Sequence, residues 1–192
     1  ANLDIYLKNI TANNNNGAGN SDGVELYSDS GGVTLAGTNT FQNNADDGLE
    51  IDAFSDVTLS NVEATGNGED GVDIYSDSGG VTLNGKNIFK GNADDGLEID
   101  AFSDITLNNV RATGNIEDGI DIDTVVGDIV LSNVIANNNG EDGAYLATSG
   151  NATIICGTFK DNTLYGINAS NVAGSLTLKS VSFGSNGSGD YD

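Results

Sequence analysis

Twenty-nine carboxylates set the chemistry open to this 192-residue chain, which has no histidine, six lysines and arginines, and one cysteine. The acids recur in columns. One column precedes a glycine: Asp22, Asp47, Asp70, Asp95, Asp118 and Asp142. A second follows that glycine by two residues (Glu25, Glu50, Asp73, Glu98, Asp121), and beside it runs Tyr27, Asp52, Tyr75, Asp100, Asp123. Carboxylates without cationic partners can bind a hard cation through oxygen, or act in pairs as acid and base on a glycosidic bond. Stacked at a strand spacing of about 4.8 Å, two carboxylates repel by roughly 0.9 kcal/mol even in water. Calcium takes oxygens at about 2.3 to 2.6 Å and fits between such a pair. The residues expected to hold several calcium ions are Asp47, Asp70, Asp95, Asp118, Glu50, Asp73, Glu98, Asp121, Asp52 and Asp100.

Such columns need an element that repeats. A glycine followed by an apolar, polar, apolar triplet occurs at Gly23, Gly48, Gly71, Gly96, Gly119, Gly143 and Gly166, at intervals of 23 to 25 residues. Residues 22–69 align without gaps to residues 70–117 and match at 37 of 48 positions, so two coils were duplicated together within one domain spanning 1–192. Each period holds three short β-type runs, for example Leu49–Ile51, Val57–Leu59 and a run around Val62, between clusters of Gly, Asn, Asp and Ser. Three such strands cannot bury an apolar face alone, but stacked coils can. The sequence predicts an all-β parallel solenoid of about eight coils, about 24 residues and three strands per coil. Asn44, Asn67, Asn92, Asn115, Asn139 and Asn162 recur at one corner, where left-handed backbone suits Asn, and are read as an internal asparagine ladder. Phe41, Phe89, Phe159 and Phe183 are read as a core stack.

With Asn44-Ala45-Asp46-Asp47-Gly48-Leu49-Glu50-Ile51 as its type case, the repeat resembles the right-handed parallel β-helix proteins of the pectate-lyase-like superfamily, and most closely their parallel β-helix repeat arrays. The resemblance covers nearly the whole chain and implies right-handed coiling. It also implies polyuronide chemistry, which in that superfamily sets carboxylates beside basic or histidine partners. Here the only arginine is Arg111, after Val110 and away from the acid columns.

Repetition without a singular site points to a non-catalytic role. The expectation is therefore no enzyme, but a secreted or cell-surface structural solenoid with calcium, acting as a fibre subunit or an adhesin stalk. The alternative is a carbohydrate-active enzyme or glycan-binding β-helix that uses the acid-and-tyrosine face, where Tyr27 and Tyr75 would stack on sugar rings. The formal charge of −23 disfavours nucleic acid as a partner, and apolar runs of only a few residues predict no membrane insertion. The expected partner is another copy stacked head to tail, since the first and last residues fall in matching phase of the repeat, or a cell-surface or glycan partner. A single outward threonine column (Thr34, Thr58, Thr82, Thr106, Thr153, Thr177) reads as ordinary sheet surface, because an ice-binding face would want two. Cys156, following Ile154-Ile155, reads as a small apolar filler.

Overall fold

A computed structural model describes residues 3–17 and 21–192 and contains three eight-stranded parallel sheets, with no helix among the described residues. The chain winds through the sheets in turn, so each sheet takes one strand per coil. The second-strand sheet runs from Ile5–Lys8 to Leu176–Lys179, and the third-strand sheet from Thr11–Asn13 to Ser182–Gly184. The first-strand sheet runs from Val24–Ser28 to Gly189–Tyr191. That last short strand adds an eighth member to a sheet for which the repeat count gives seven full strands.

Alternation decides which side chains meet the core. In strand Leu49–Ala53, Leu49, Ile51 and Ala53 are buried while Glu50 and Asp52 face outward, and Val57 and Leu59 repeat the pattern on the next sheet. Register places like on like: Leu49 pairs with Val72, and Val72 with Leu97. Phe41, Phe89 and Phe159 are fully buried, and Phe183 packs partly buried against the same core, its ring 6.0 Å from that of Phe159. Thr34, Thr58, Thr82 and Thr106 also stack in register. The neighbouring outward column is Ala36, Ser60, Asn84 and Asn108, so no second threonine column accompanies the first.

Two residues per coil turn the corners in left-handed conformation. Between second and third strands they are Asn9, Gly37, Asn61, Gly85, Asn109, Asn133, Cys156 and Ser180. Between third and first strands they are Asn14, Asn43, Gly66, Gly91, Gly114, Asn138, Asp161 and Ser185. Cys156 thus occupies an exposed corner position at φ 57°, not the core, which corrects its reading as an apolar filler. The asparagine ladder stands one residue beyond the second set. Both the backbone N–H and the Nδ2 of Asn44 donate to Oδ1 of Asn67, at 3.1 and 3.0 Å, and the pattern continues through Asn92, Asn115, Asn139, Asn162 and Asn186. The left-handed residue at this corner is therefore its neighbour, such as Asn43, rather than the ladder asparagine itself.

Candidate functional site

The column before each glycine forms a second ladder, made of carboxylates. The backbone N–H of Asp70 donates to Oδ1 of Asp47 at 2.7 Å, that of Asp95 to Asp70 at 2.6 Å, and that of Asp118 to Asp95 at 2.6 Å. Asp22 begins the run and Asp142 ends it on the N–H of Tyr165. Asp47, Asp95, Asp118 and Asp142 are buried. The glycine that follows is forced by the packing of the next coil, because a Cβ at Gly48 would drive into the carbonyl of Gly71 and the side-chain amide of Asn67. One oxygen of each of these acids is thus a structural acceptor.

The outward column Glu50, Asp73, Glu98, Asp121 lies beside this ladder in register. Two groups of three acids converge: Asp22, Glu25 and Glu50, and Asp70, Asp95 and Glu98, each with carboxylate oxygens within 4.8 Å of one another. A cavity of about 370 Å³ is lined by Asp22, Asp46, Asp47, Glu50, Glu69 and Asp73. Of the acids expected at calcium, Asp70, Asp95 and Glu98 therefore meet in one cluster, Glu50 joins the other, and Asp47, Glu50 and Asp73 share the cavity. Asp118 and Asp121 continue the columns without joining either cluster, and Asp52 and Asp100 stand in the next outward column of the same face.

Desolvation dominates the electrostatics of the acid strip. Burial, reinforced by Asp47, Asp95 and Glu98, pushes Asp70 up to about 9, although the N–H of Asp95 works against the shift. Burial raises Asp118 to about 8, and Asp47, Asp73, Asp95 and Asp121 to about 7. Glu98 is raised by burial but held down by its hydrogen bond with Asp70. Burial thus favours the protonated form of both acids, and the hydrogen bond between them ties Glu98 to Asp70.

On the same outward face, one step further along each first strand, Tyr27, Asp52, Tyr75, Asp100 and Asp123 stand in register. Two residues further along each coil come Asp29, Phe54, Asp77, Phe102 and Val125. Backbone bonds from the N–H of Phe54 to Ser28, Asp77 to Ala53, Phe102 to Ser76 and Val125 to Ala101 carry the register past the strand ends. Two adjoining cavities, of about 220 and 360 Å³, run along these residues and share Tyr75 and Asp77. Tyr75 was legible as an outward aromatic; Phe54 and Phe102 were missed because they lie just beyond the strand. Their two-residue offset from Asp52 and Asp100 was the available signal.

The family model for a right handed beta helix region matches residues 22–183. The chain belongs to the right-handed β-helix family. Among solved structures, this β-helix resembles the A-module of the mannuronan C-5 epimerase AlgE4 from Azotobacter vinelandii, with TM-score 0.76 and 16% identity over 99% of this chain and 56% of that one. It also resembles pectate lyase Pel9A, with TM-score 0.57 and 16% identity over 86% of this chain and 56% of that one. The chain spans 56% of the length of each. No curated protein matches it by sequence. At 16% identity the shared property is the β-helix itself.

These likenesses correct the expectation of a non-catalytic solenoid, since both solved neighbours are enzymes. The physical reason lies in the acid strip. Repetition in sequence does not give repetition in environment: carboxyls at equivalent positions in successive coils range from about 7 at Asp47 to about 9 at Asp70. Acid and base roles need that spread, and neither histidine nor arginine is required for it.

Proposed function

We propose that the chain is a carbohydrate-active enzyme working on a glycan laid along the first-strand sheet, with Asp70 as proton donor and Glu98 as its partner carboxyl. The observation that carries this reading is the unequal pair. Asp70 keeps its proton through neutral pH and hydrogen-bonds to Glu98, so a proton donor and a second carboxyl stand side by side on an accessible sheet. Such a pair can protonate a glycosidic oxygen while the second carboxyl, as carboxylate, attacks the sugar carbon, once the two side chains part to admit the bond, since retaining enzymes hold their carboxyls about 5 to 5.5 Å apart. Likeness in fold to a mannuronan epimerase and a pectate lyase supports the substrate class at the level of carbohydrate.

Incubation with neutral, amino and uronate glycans, followed by release of reducing ends and formation of unsaturated products, tests the reading. Asp70→Asn and Glu98→Gln should each lower turnover by about 10² to 10⁴. A chain that turns over no glycan of any class would sink it.

Calcium belongs to the same proposal. The acid clusters offer only oxygen donors, as a hard cation requires, and Asp70 and Asp95 each keep one oxygen outside the ladder. Asp22, Glu25 and Glu50, with Asp47 and Asp73 lining the adjoining cavity, would hold an ion without displacing the proton of Asp70. When bound, the ion supplies positive charge to a strip that has none of its own. The proposal also places the chain outside the cell, where polysaccharides are met. Head-to-tail self-association is a separate proposal, tested by sedimentation of this chain at rising concentration.

A further inference from the structure

All six basic residues lie off the first-strand sheet. Lys8 and Lys179 are on the second-strand sheet, Lys90, Arg111 and Lys160 on the third, and Lys86 just before a third strand. The groove on the first-strand side is instead a checkerboard. Along four successive coils the paired positions read Tyr27 with Asp29, Asp52 with Phe54, Tyr75 with Asp77, and Asp100 with Phe102. Each of these four coils presents one aromatic ring and one carboxylate, and the two exchange columns at each step. The rings are accessible: Tyr27 is 55% exposed, Tyr75 48%, Phe54 44% and Phe102 42%. Their backbone is fixed by inter-coil hydrogen bonds, so the array is preorganised.

Resting on the carbohydrate reading above, we infer that this groove binds a linear glycan carrying free amino groups, a polyhexosamine, with sugar rings on Tyr27, Phe54, Tyr75 and Phe102 and ammonium groups at Asp52, Asp77 and Asp100. Three features select that occupant. Coil spacing of about 4.8 Å is comparable to the advance of one pyranose unit, so each coil can serve one sugar. An ammonium beside both an aromatic face and a carboxylate gains from each. A polyanion such as mannuronan or pectate would meet acids along the whole groove with no basic side chain to receive it. The substrate class thus departs from that of the solved neighbours, although the fold is shared.

The test is calorimetric titration of the chain with a fully deacetylated hexosamine oligomer at mildly acidic pH, alongside its N-acetylated counterpart, a neutral glucan oligomer, an oligouronate and oligolysine. The deacetylated oligomer should bind tightest, and added salt should weaken it. Tyr75→Ala and Phe102→Ala should each reduce its affinity by about fivefold. Asp100→Asn should narrow its advantage over the N-acetylated oligomer. These side chains are exposed, and a melting curve for each variant confirms the fold. Equal binding of the N-acetylated or neutral oligomer would overturn the inference and leave the carbohydrate reading standing. Equal binding of oligolysine, with the aromatic variants unaffected, would reduce the groove to a charged surface and overturn it as well. Failure of every glycan to bind would remove both.

Discussion

The backbone N–H of Asp95 donates to Oδ1 of Asp70 at 2.6 Å, and the Asp70 side chain also hydrogen-bonds to Glu98. A single carboxyl is therefore a rung between two coils and the proton donor of the proposed acid pair. Its high affinity for a proton follows from that double placement, because the ladder position buries it among other acids. Substitutions here must separate the two roles. Asparagine keeps the acceptor and removes the titratable proton; alanine removes both.

Acid should stabilise this protein. The folded pKa values of Asp47, Asp73, Asp95 and Asp121 (about 7), Asp118 (about 8) and Asp70 (about 9) lie above the ordinary 3.8. The folded state then binds more protons than the unfolded one between 3.8 and 9, so stability falls as pH rises through that window. Without added metal, Tm should climb by several degrees as pH is lowered from 9 through 7, and continue to rise towards 3.8. A melting temperature that is flat or falls over that range would contradict the shifts.

At Asp118 the charge and the rung can be told apart. Asp118→Asn should raise Tm at alkaline pH and flatten the pH profile, since the amide oxygen can still accept from the N–H of Asp142. Asp118→Ala leaves that N–H without its partner and should cost about 1 to 3 kcal/mol in chemical denaturation. If the two variants behave alike, the ladder bond contributes nothing.

Calcium should raise Tm most where the acids are ionised. Protons and the ion compete for the same oxygens, so the gain should be large at the alkaline end of the window and fade as Asp47 and Asp73 protonate near 7. Glu50→Gln should reduce the gain. Identical melting curves in calcium and in chelator at every pH would exclude a bound ion.

Glycines of the two kinds should differ in cost. Gly48→Ala pushes a methyl into the next coil and should destabilise by about 3 kcal/mol or more, read from denaturant midpoints. Gly114→Ala meets no neighbour within 4 Å and strains only a left-handed backbone at φ 72°, a cost of about 1 kcal/mol. Equal losses would mean that inter-coil crowding is not what holds Gly48 in place.

The coil was legible because two signals coincide at one period: apolar alternation at Leu49 and Ile51, and the Asn and Gly corner residues that let the chain turn. At the acid before each glycine the sequence shows only a residue type suited to a metal ion, and the structural share of its role is not legible there. In the structure the next coil's N–H captures one of its oxygens, as at Asp47 and Asp70, so a carboxylate does the work that asparagine does at Asn44. That is a contact between coils, invisible along the chain. Phe54 and Phe102 escaped notice for a related reason: inter-coil hydrogen bonds hold their segment in register after the strand has ended. Cys156 misled because Ile154 beside it is core, whereas a single left-handed residue turns the thiol outward.

Placement of every lysine and arginine on the second and third strands or the turn between them gives the rod an electric moment across its width. Near a positively charged surface such a rod rolls until its first-strand sheet faces inward, before any specific contact forms. Long, amine-bearing polymers would be met side-on along the groove, and ionic strength would set how fast that alignment occurs.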